Sequence, residues 1–237
     1  MTARGIFVTG TDTGAGKTLV SCAILAALKR RGLRVAACKP VETGCPEKDG
    51  TRVGEDCERL AAATGQLPGA VAACLLSAPA APMVAAEAEG FHIRRHVLLD
   101  HFAVTARDTD FVLVESAGGL MVPVADGYTT RDLAADLALP VLCVVASRLG
   151  CINHALLTIE VLRSSGLTTA GFVMNEIGGG EEFALALRTN RNMIGRFAGV
   201  ADLGALPFID AVRRGDMDHL AALAEEHLDL DAILRCR

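Results

Sequence analysis

The segment GTDTGAGKT, Gly10 to Thr18, has the plainest chemical purpose in the chain. It stands between an apolar run and an amphipathic stretch, so its backbone N–H groups and the helix N-terminus behind it would cradle phosphate. Lys17 is spaced to reach the β- and γ-phosphates of a nucleotide, and Thr18 to ligate Mg²⁺. The run departs from G-x-x-x-x-G-K-[ST] at one place: position 11 is Thr, and Gly10 stands one residue early. A strand–loop–helix context of this kind points to ATP or GTP.

Other residues could complete a phosphoryl-transfer site. Glu115 closes the apolar run FVLVE and precedes Ser-Ala-Gly-Gly, so it could hold a metal while the glycines admit phosphate. Asp56, in the first turn of an expected helix, is a second candidate ligand, although a carboxylate there also suits the helix dipole. Lys39 closes another apolar run, and a cation at the end of a buried strand points to an anionic ligand. Asn175 ends a further run, where an amide could read donor and acceptor groups on a nucleobase or simply form a turn. His154, alone in GCINH, has no visible acid–base partner, whereas the N–H groups of the helix start it marks could bind a carboxylate.

The elements that must position these residues follow from patterning. Short β-rich runs alternate with amphipathic stretches, which predicts an α/β fold with a mainly parallel sheet and helices on both faces. Strands are expected at 6–9, 34–39, 110–115, 140–146 and 169–175, with a weaker one at 204–206. Helices are expected at 18–31, 55–64, 93–106, 152–165 and 181–195, and one or two more over 217–234. The Ala/Pro-rich piece from Ser77 to Met83 reads as a surface loop. Thr9, Lys39, Glu115, Ala146 and Asn175 then share the C-terminal edge of one sheet, where open α/β folds bind ligands.

Composition narrows the function class. With 237 residues and 51% hydrophobic positions, one domain over residues 1–237 is expected. A net charge of -5 without a Lys/Arg cluster argues against a nucleic-acid binder. No apolar run approaches the roughly 20 residues of a membrane helix, and no secretory leader is visible, so a cytoplasmic location is expected. The eight cysteines include no C-x-x-C pair and read as free buried thiols.

Together, GTDTxxGKT, KPVxTG at Lys39 to Gly44, ExAGG at Glu115 to Gly119, LGCINH at Leu149 to His154, and Asn175 closely resemble the dethiobiotin synthetase family. The resemblance covers about the first three quarters of the chain and implies a single-domain phosphate-loop NTPase-like fold. It implies an ATP- and Mg²⁺-dependent ligase that carboxylates 7,8-diaminopelargonate with CO₂ and closes the ureido ring through a carbamic-phosphoric mixed anhydride. Lys39, Lys17 and Thr13 are implied as catalytic residues. Nucleotide contacts are implied for Gly14, Ala15, Gly16, Lys17, Thr18, Leu19, Asp56, Glu115, Ser116, Ala117, Gly118, Asn175, Glu176, Leu206 and Pro207, with Mg²⁺ ligation by Thr18, Asp56 and Glu115. Substrate contacts are implied for Thr43 and Gly119. A homodimer is implied as well, with the Gly150, Cys151, Ile152 and Asn153 segment of one subunit receiving the diamine's carboxylate at the other's site. Gly14 stands where many relatives have an acidic residue, and Ser116 where Gly is usual.

The main competing expectation is a regulatory, partition-type ATPase switch on a related fold. Such proteins usually carry a second lysine early in the loop, where this chain has Asp12, and many end in a basic amphipathic helix, where this tail has Glu225, Glu226, Asp229 and Asp231. An amide-forming synthetase with a glutaminase domain would need extra length.

Overall fold

The structure is a computed structural model and describes residues 4–178 and 181–236. In chain order, Gly5–Gly10 (β1) leads through the phosphate-loop segment into Lys17–Arg30 (α1), followed by Val35–Cys38 (β2) and Val41–Thr43 (β3). Then come Glu47–Lys48 (β4), Thr51–Arg52 (β5), Glu55–Thr64 (α2), Cys74–Leu76 (β6), Pro82–Ala88 (α3) and Arg95–Thr105 (α4). Phe111–Gly119 (β7), Pro123–Ala125 (β8), Tyr128–Thr129 (β9), Thr130–Leu137 (α5), Val141–Ala146 (β10) and Cys151–Ser164 (α6) form the middle of the chain. Thr169–Asn175 (β11), Glu181–Ala198 (α7), Asp202–Leu206 (β12), Met217–His227 (α8) and Leu230–Arg235 (α9) complete it.

Six strands form one parallel sheet in the order β12-β11-β10-β1-β7-β2. Side chains alternate across it: Ile6, Val8 and Leu113 pack beneath α1 and α8, while Phe7 and Val114 join the cluster on the opposite face with α4 and α5. On that second face Cys143, Val145 and Phe172 meet α6 and α7 residues such as Ile159 and Ile194. Strands covered on both faces have no polar side to present, which explains their continuous apolar runs. Register sets the functional edge: Cys38 pairs with Val114, so Lys39, just past β2, and Glu115, within β7, stand at the same level, and Ala146 pairs with Asn175.

Several boundaries differ from the expected ones for local reasons. β2 is shorter because the Arg34 N–H donates to Asp110 at 2.8 Å and the Lys39 N–H turns to the Val71 carbonyl at 2.8 Å. β7 runs on past Glu115 to Gly119, where Gly119 pairs with Gly10. The Ser77–Met83 stretch is a loop only as far as Ala81, because Pro82 opens α3, a position where its missing N–H costs nothing. Three small sheets were not read from the sequence: parallel β3–β6 and the antiparallel pairs β4–β5 and β8–β9.

The exposed edge of β2 is capped. Gln66 accepts the Ala37 N–H at 2.7 Å and donates to the Ala37 carbonyl at 3.2 Å, as a neighbouring strand would. All eight cysteines are free, seven of them buried. Among the described residues no helix is long and apolar enough to cross a membrane.

Candidate nucleotide and phosphoryl-transfer site

The phosphate-loop segment leaves β1 and enters α1 through two glycines in left-handed backbone, Gly14 at φ 79° and Gly16 at φ 89°. Gly16 is required for space as well: a Cβ there would lie 2.9 Å from Asn175 Cγ. Asn175 braces the loop, its amide donating to the Ala15 carbonyl at 3.1 Å, while its own Oδ1 is buried without a hydrogen-bond partner among the described residues. Lys17 folds back over the loop to the Asp12 carbonyl at 3.3 Å, and burial pulls its ammonium pKa below the ordinary lysine value. Asp12 accepts the Thr13 N–H at 2.7 Å and forms an ion pair with Arg148, which follows β10.

Beside the loop, Lys39, Asp56, Glu115 and Thr18 converge. Lys39 is only 4% exposed and Glu115 0%. The Lys39 ammonium bonds Glu115 Oε1 at 2.7 Å and also Asp56, and the Thr18 hydroxyl donates to Glu115 Oε1 at 2.8 Å. Burial works against a charged Lys39, but the facing Glu115 and Asp56 carboxylates outweigh it and hold the pKa above the lysine range. Burial would likewise raise Asp56, yet the Lys39 ammonium and the Thr18 hydroxyl keep it below the usual carboxylate range.

The donor set fits a hard divalent cation. Glu115 Oε2 is buried and unpartnered among the described residues, beside one more carboxylate and one hydroxyl. Mg²⁺ is commonly held by one or two carboxylates together with substrate phosphates rather than by a full protein cage. No cluster of three His, Cys, Asp or Glu side chains suited to a metal occurs among the described residues.

A cleft of about 810 Å³ opens over this group. Of the sequence-derived candidates, Thr13, Gly14, Gly16, Lys17, Thr18, Leu19, Lys39, Thr43, Asp56, Ala117, Gly118, Asn175 and Glu176 line it. Glu115 does not line the cleft; it is fully buried and bonded to Lys39 and Thr18, which do. Other candidates lie elsewhere. The Ala15 side chain is packed in the core, and Ser116 is buried with its hydroxyl turned onto the Gly118 carbonyl at 2.8 Å. Gly119 lies against the Gly10 carbonyl, 3.2 Å from where its Cβ would be. Leu206 is buried in the core at the end of β12, and neither it nor Pro207 lines the cleft. Gly150, Cys151, Ile152 and Asn153 begin α6 beyond β10 and do not line this chain's cleft.

Sequence reasoning missed part of the wall: Cys22, Glu42, Arg59, Val122, Ile177, Ile209, Arg214 and the stretch 79–82 that leads into α3. Glu42 had a readable signal, a carboxylate inside the KPVETG motif next to Lys39. Arg214 and Ile209 come from an irregular segment, where no periodicity marks the inward face.

A family model described as an AAA domain matches residues 4–215. Among solved structures, the chain resembles a ParA family ATPase from Chlorobium tepidum TLS at 12% identity and TM-score 0.57, covering 94% of this chain and 92% of that one. It resembles the MinC:MinD cell division protein complex of Aquifex aeolicus at 16% identity and TM-score 0.56, covering 98% and 93% of the two chains. The hydrogenase maturation factor HypB from Archaeoglobus fulgidus is similar at 16% identity and TM-score 0.50, with 94% and 89% covered. At such identities the likeness is one of fold, that of the phosphate-loop NTPases. With the family match spanning most of its length, the chain belongs to the AAA domain family that includes dethiobiotin synthetase, and it carries a phosphate-loop ATPase domain.

Proposed function

We propose that this chain uses Mg²⁺-ATP to carboxylate 7,8-diaminopelargonate and close its ureido ring, giving dethiobiotin, ADP and phosphate. The observation that carries the reading is Lys39, a second buried cation beside the phosphate loop, fixed by Asp56 and Glu115 at the wall of a cleft shared with Thr43. A switch that only binds and hydrolyses nucleotide can work with the loop and its metal. Transfer to a carbamate gathers further negative charge on the acceptor side, which a second fixed cation stabilises.

In this reading one amine of the substrate adds to CO₂ and loses a proton, giving a carbamate. A carbamate oxygen attacks the γ-phosphorus, the bond to the β,γ-bridging oxygen breaks, and ADP leaves. The second amine attacks the carbamoyl carbon, the C–O bond to phosphate breaks, and phosphate departs as the ring closes and the amine loses its proton. Lys17, Thr13 and the loop N–H groups hold the phosphoryl oxygens, and Lys39 holds the carbamate. Thr18, Asp56 and Glu115 would hold Mg²⁺, which when bound neutralises phosphate charge. Asn175 and Glu176 border the base end, and in a homodimer the Gly150–Asn153 segment of the partner would meet the diamine's carboxylate.

The regulatory-switch reading draws on the fold shared with the ParA family ATPase and the MinC:MinD complex. Against it, the early loop position carries Asp12, paired with Arg148 inside the same chain. ADP release measured with and without the diamine and bicarbonate separates the two: strong dependence on both supports the ligase, and indifference to both supports the switch.

A further inference from the structure

Asp56 is gripped at both ends from one short segment. Its carboxylate meets Lys39, while its backbone N–H donates to Glu42 Oε1 at 2.9 Å. The next N–H, of Cys57, donates to Glu42 Oε2 at 2.9 Å. Both oxygens of Glu42 are therefore spent on the first turn of α2, and the residue is only 6% exposed. Gly54 makes the approach possible, since a Cβ there would lie 2.7 Å from Glu42 Cδ. The backbone of Gly54, at φ -99° and ψ 115°, is one that any residue adopts, so the glycine serves space and not conformation.

The dipole and the open N–H groups of α2 are satisfied by a side chain from another element, although its own first turn already carries Glu55, Asp56 and Glu58. A cap alone would be supplied more simply by a Ser, Thr or Asp at position 54. The remote cap instead locks α2 to β3, the strand that follows Lys39, and so fixes the Asp56 carboxylate relative to Lys39 and Glu115. We propose that Glu42 is a positioning residue for the divalent-cation site, acting through Asp56; this rests on reading Thr18, Asp56 and Glu115 as the Mg²⁺ ligands. Partners that orient ligating carboxylates are typically worth 10- to 100-fold in metal affinity.

The test measures Mn²⁺ binding to the full chain with ADP by electron paramagnetic resonance of free Mn²⁺, alongside metal-free ADP affinity and circular dichroism. Glu42→Gln keeps the volume but presents an amide NH₂ to one of the two N–H groups. Gly54→Ala keeps Glu42 but displaces its carboxylate. Both are expected to weaken Mn²⁺ binding about tenfold with metal-free ADP affinity and fold unchanged. Asp56→Asn is expected to weaken Mn²⁺ as well, and Glu42→Gln combined with Asp56→Asn to be no weaker than Asp56→Asn alone. Wild-type Mn²⁺ affinity in both Glu42→Gln and Gly54→Ala, while Asp56→Asn is impaired, overturns the Glu42 role and leaves the metal reading standing. Losses that multiply in the double variant overturn it too. Wild-type affinity in Asp56→Asn removes the ligand reading itself, and the positioning role with it. Should Glu42→Gln fail to fold, Gly54→Ala decides.

Discussion

Under the proposed function Lys39 serves two purposes at once, and its replacement separates them only if both are measured. The sequence marked it as a strand-end cation for an anionic ligand. Its burial between Asp56 and fully buried Glu115 makes it structural as well. Lys39→Ala leaves two facing carboxylates without their cation, so a loss of roughly 3 kcal/mol in stability is expected from denaturant unfolding. At temperatures where the variant stays folded, turnover with ATP, bicarbonate and the diamine should fall about 100-fold or more. Asn175 is also double in purpose. Its amide braces the loop through Ala15, and its Oδ1, buried without a partner among the described residues, is the group that the proposed function gives to a base. Asn175→Ala should therefore weaken every nucleotide, and the part owed to Oδ1 should appear as a changed ATP/CTP preference in kcat/KM. An unchanged ratio leaves Asn175 as a brace alone.

At the scale of elements, the parallel strands other than β12 and their ligand-bearing ends were legible because each is a largely apolar run closed by a polar residue. What was not legible is what side chains do between elements. Nothing in the spacing of Gln66 shows that it stands in for a seventh strand at β2. Gln66→Ala leaves the Ala37 N–H and carbonyl without these partners, and a loss of about 1–2 kcal/mol is expected in urea unfolding. Another cross-link joins β9 to α5: Asp132 accepts the Thr129 N–H at 2.7 Å and the Thr129 hydroxyl at 2.6 Å. Burial opposes its ionisation, but these bonds and Arg131 carry its pKa down from 3.8 to about 2. A pKa lowered on folding gives stability that is complete above about pH 4 and fades as pH falls towards 2. Asp132→Asn should accordingly cost on the order of 1 kcal/mol at neutral pH, and the difference from wild type should shrink as unfolding is followed down from pH 4 towards 2.

For the whole molecule, the phosphate loop, Lys39, Asp56, Glu115 and Asn175 were read from sequence and come together around one cleft. The part of the wall from Ile209 and Arg214 was not, because it arrives from an irregular segment after β12, whereas Leu206 and Pro207, which the family resemblance implied, do not line the cleft. The Gly150–Asn153 segment lies outside this cleft. All of these arrangements bear on one claim, that ATP is spent here on joining CO₂ to a diamine. Mass spectrometry of the products after incubation with Mg²⁺-ATP, bicarbonate and 7,8-diaminopelargonate, each omitted in turn, tests it most directly. Dethiobiotin and ADP formed together, and only when all components are present, is the expected result. ADP formed at the same rate without the diamine, and no dethiobiotin, would contradict it.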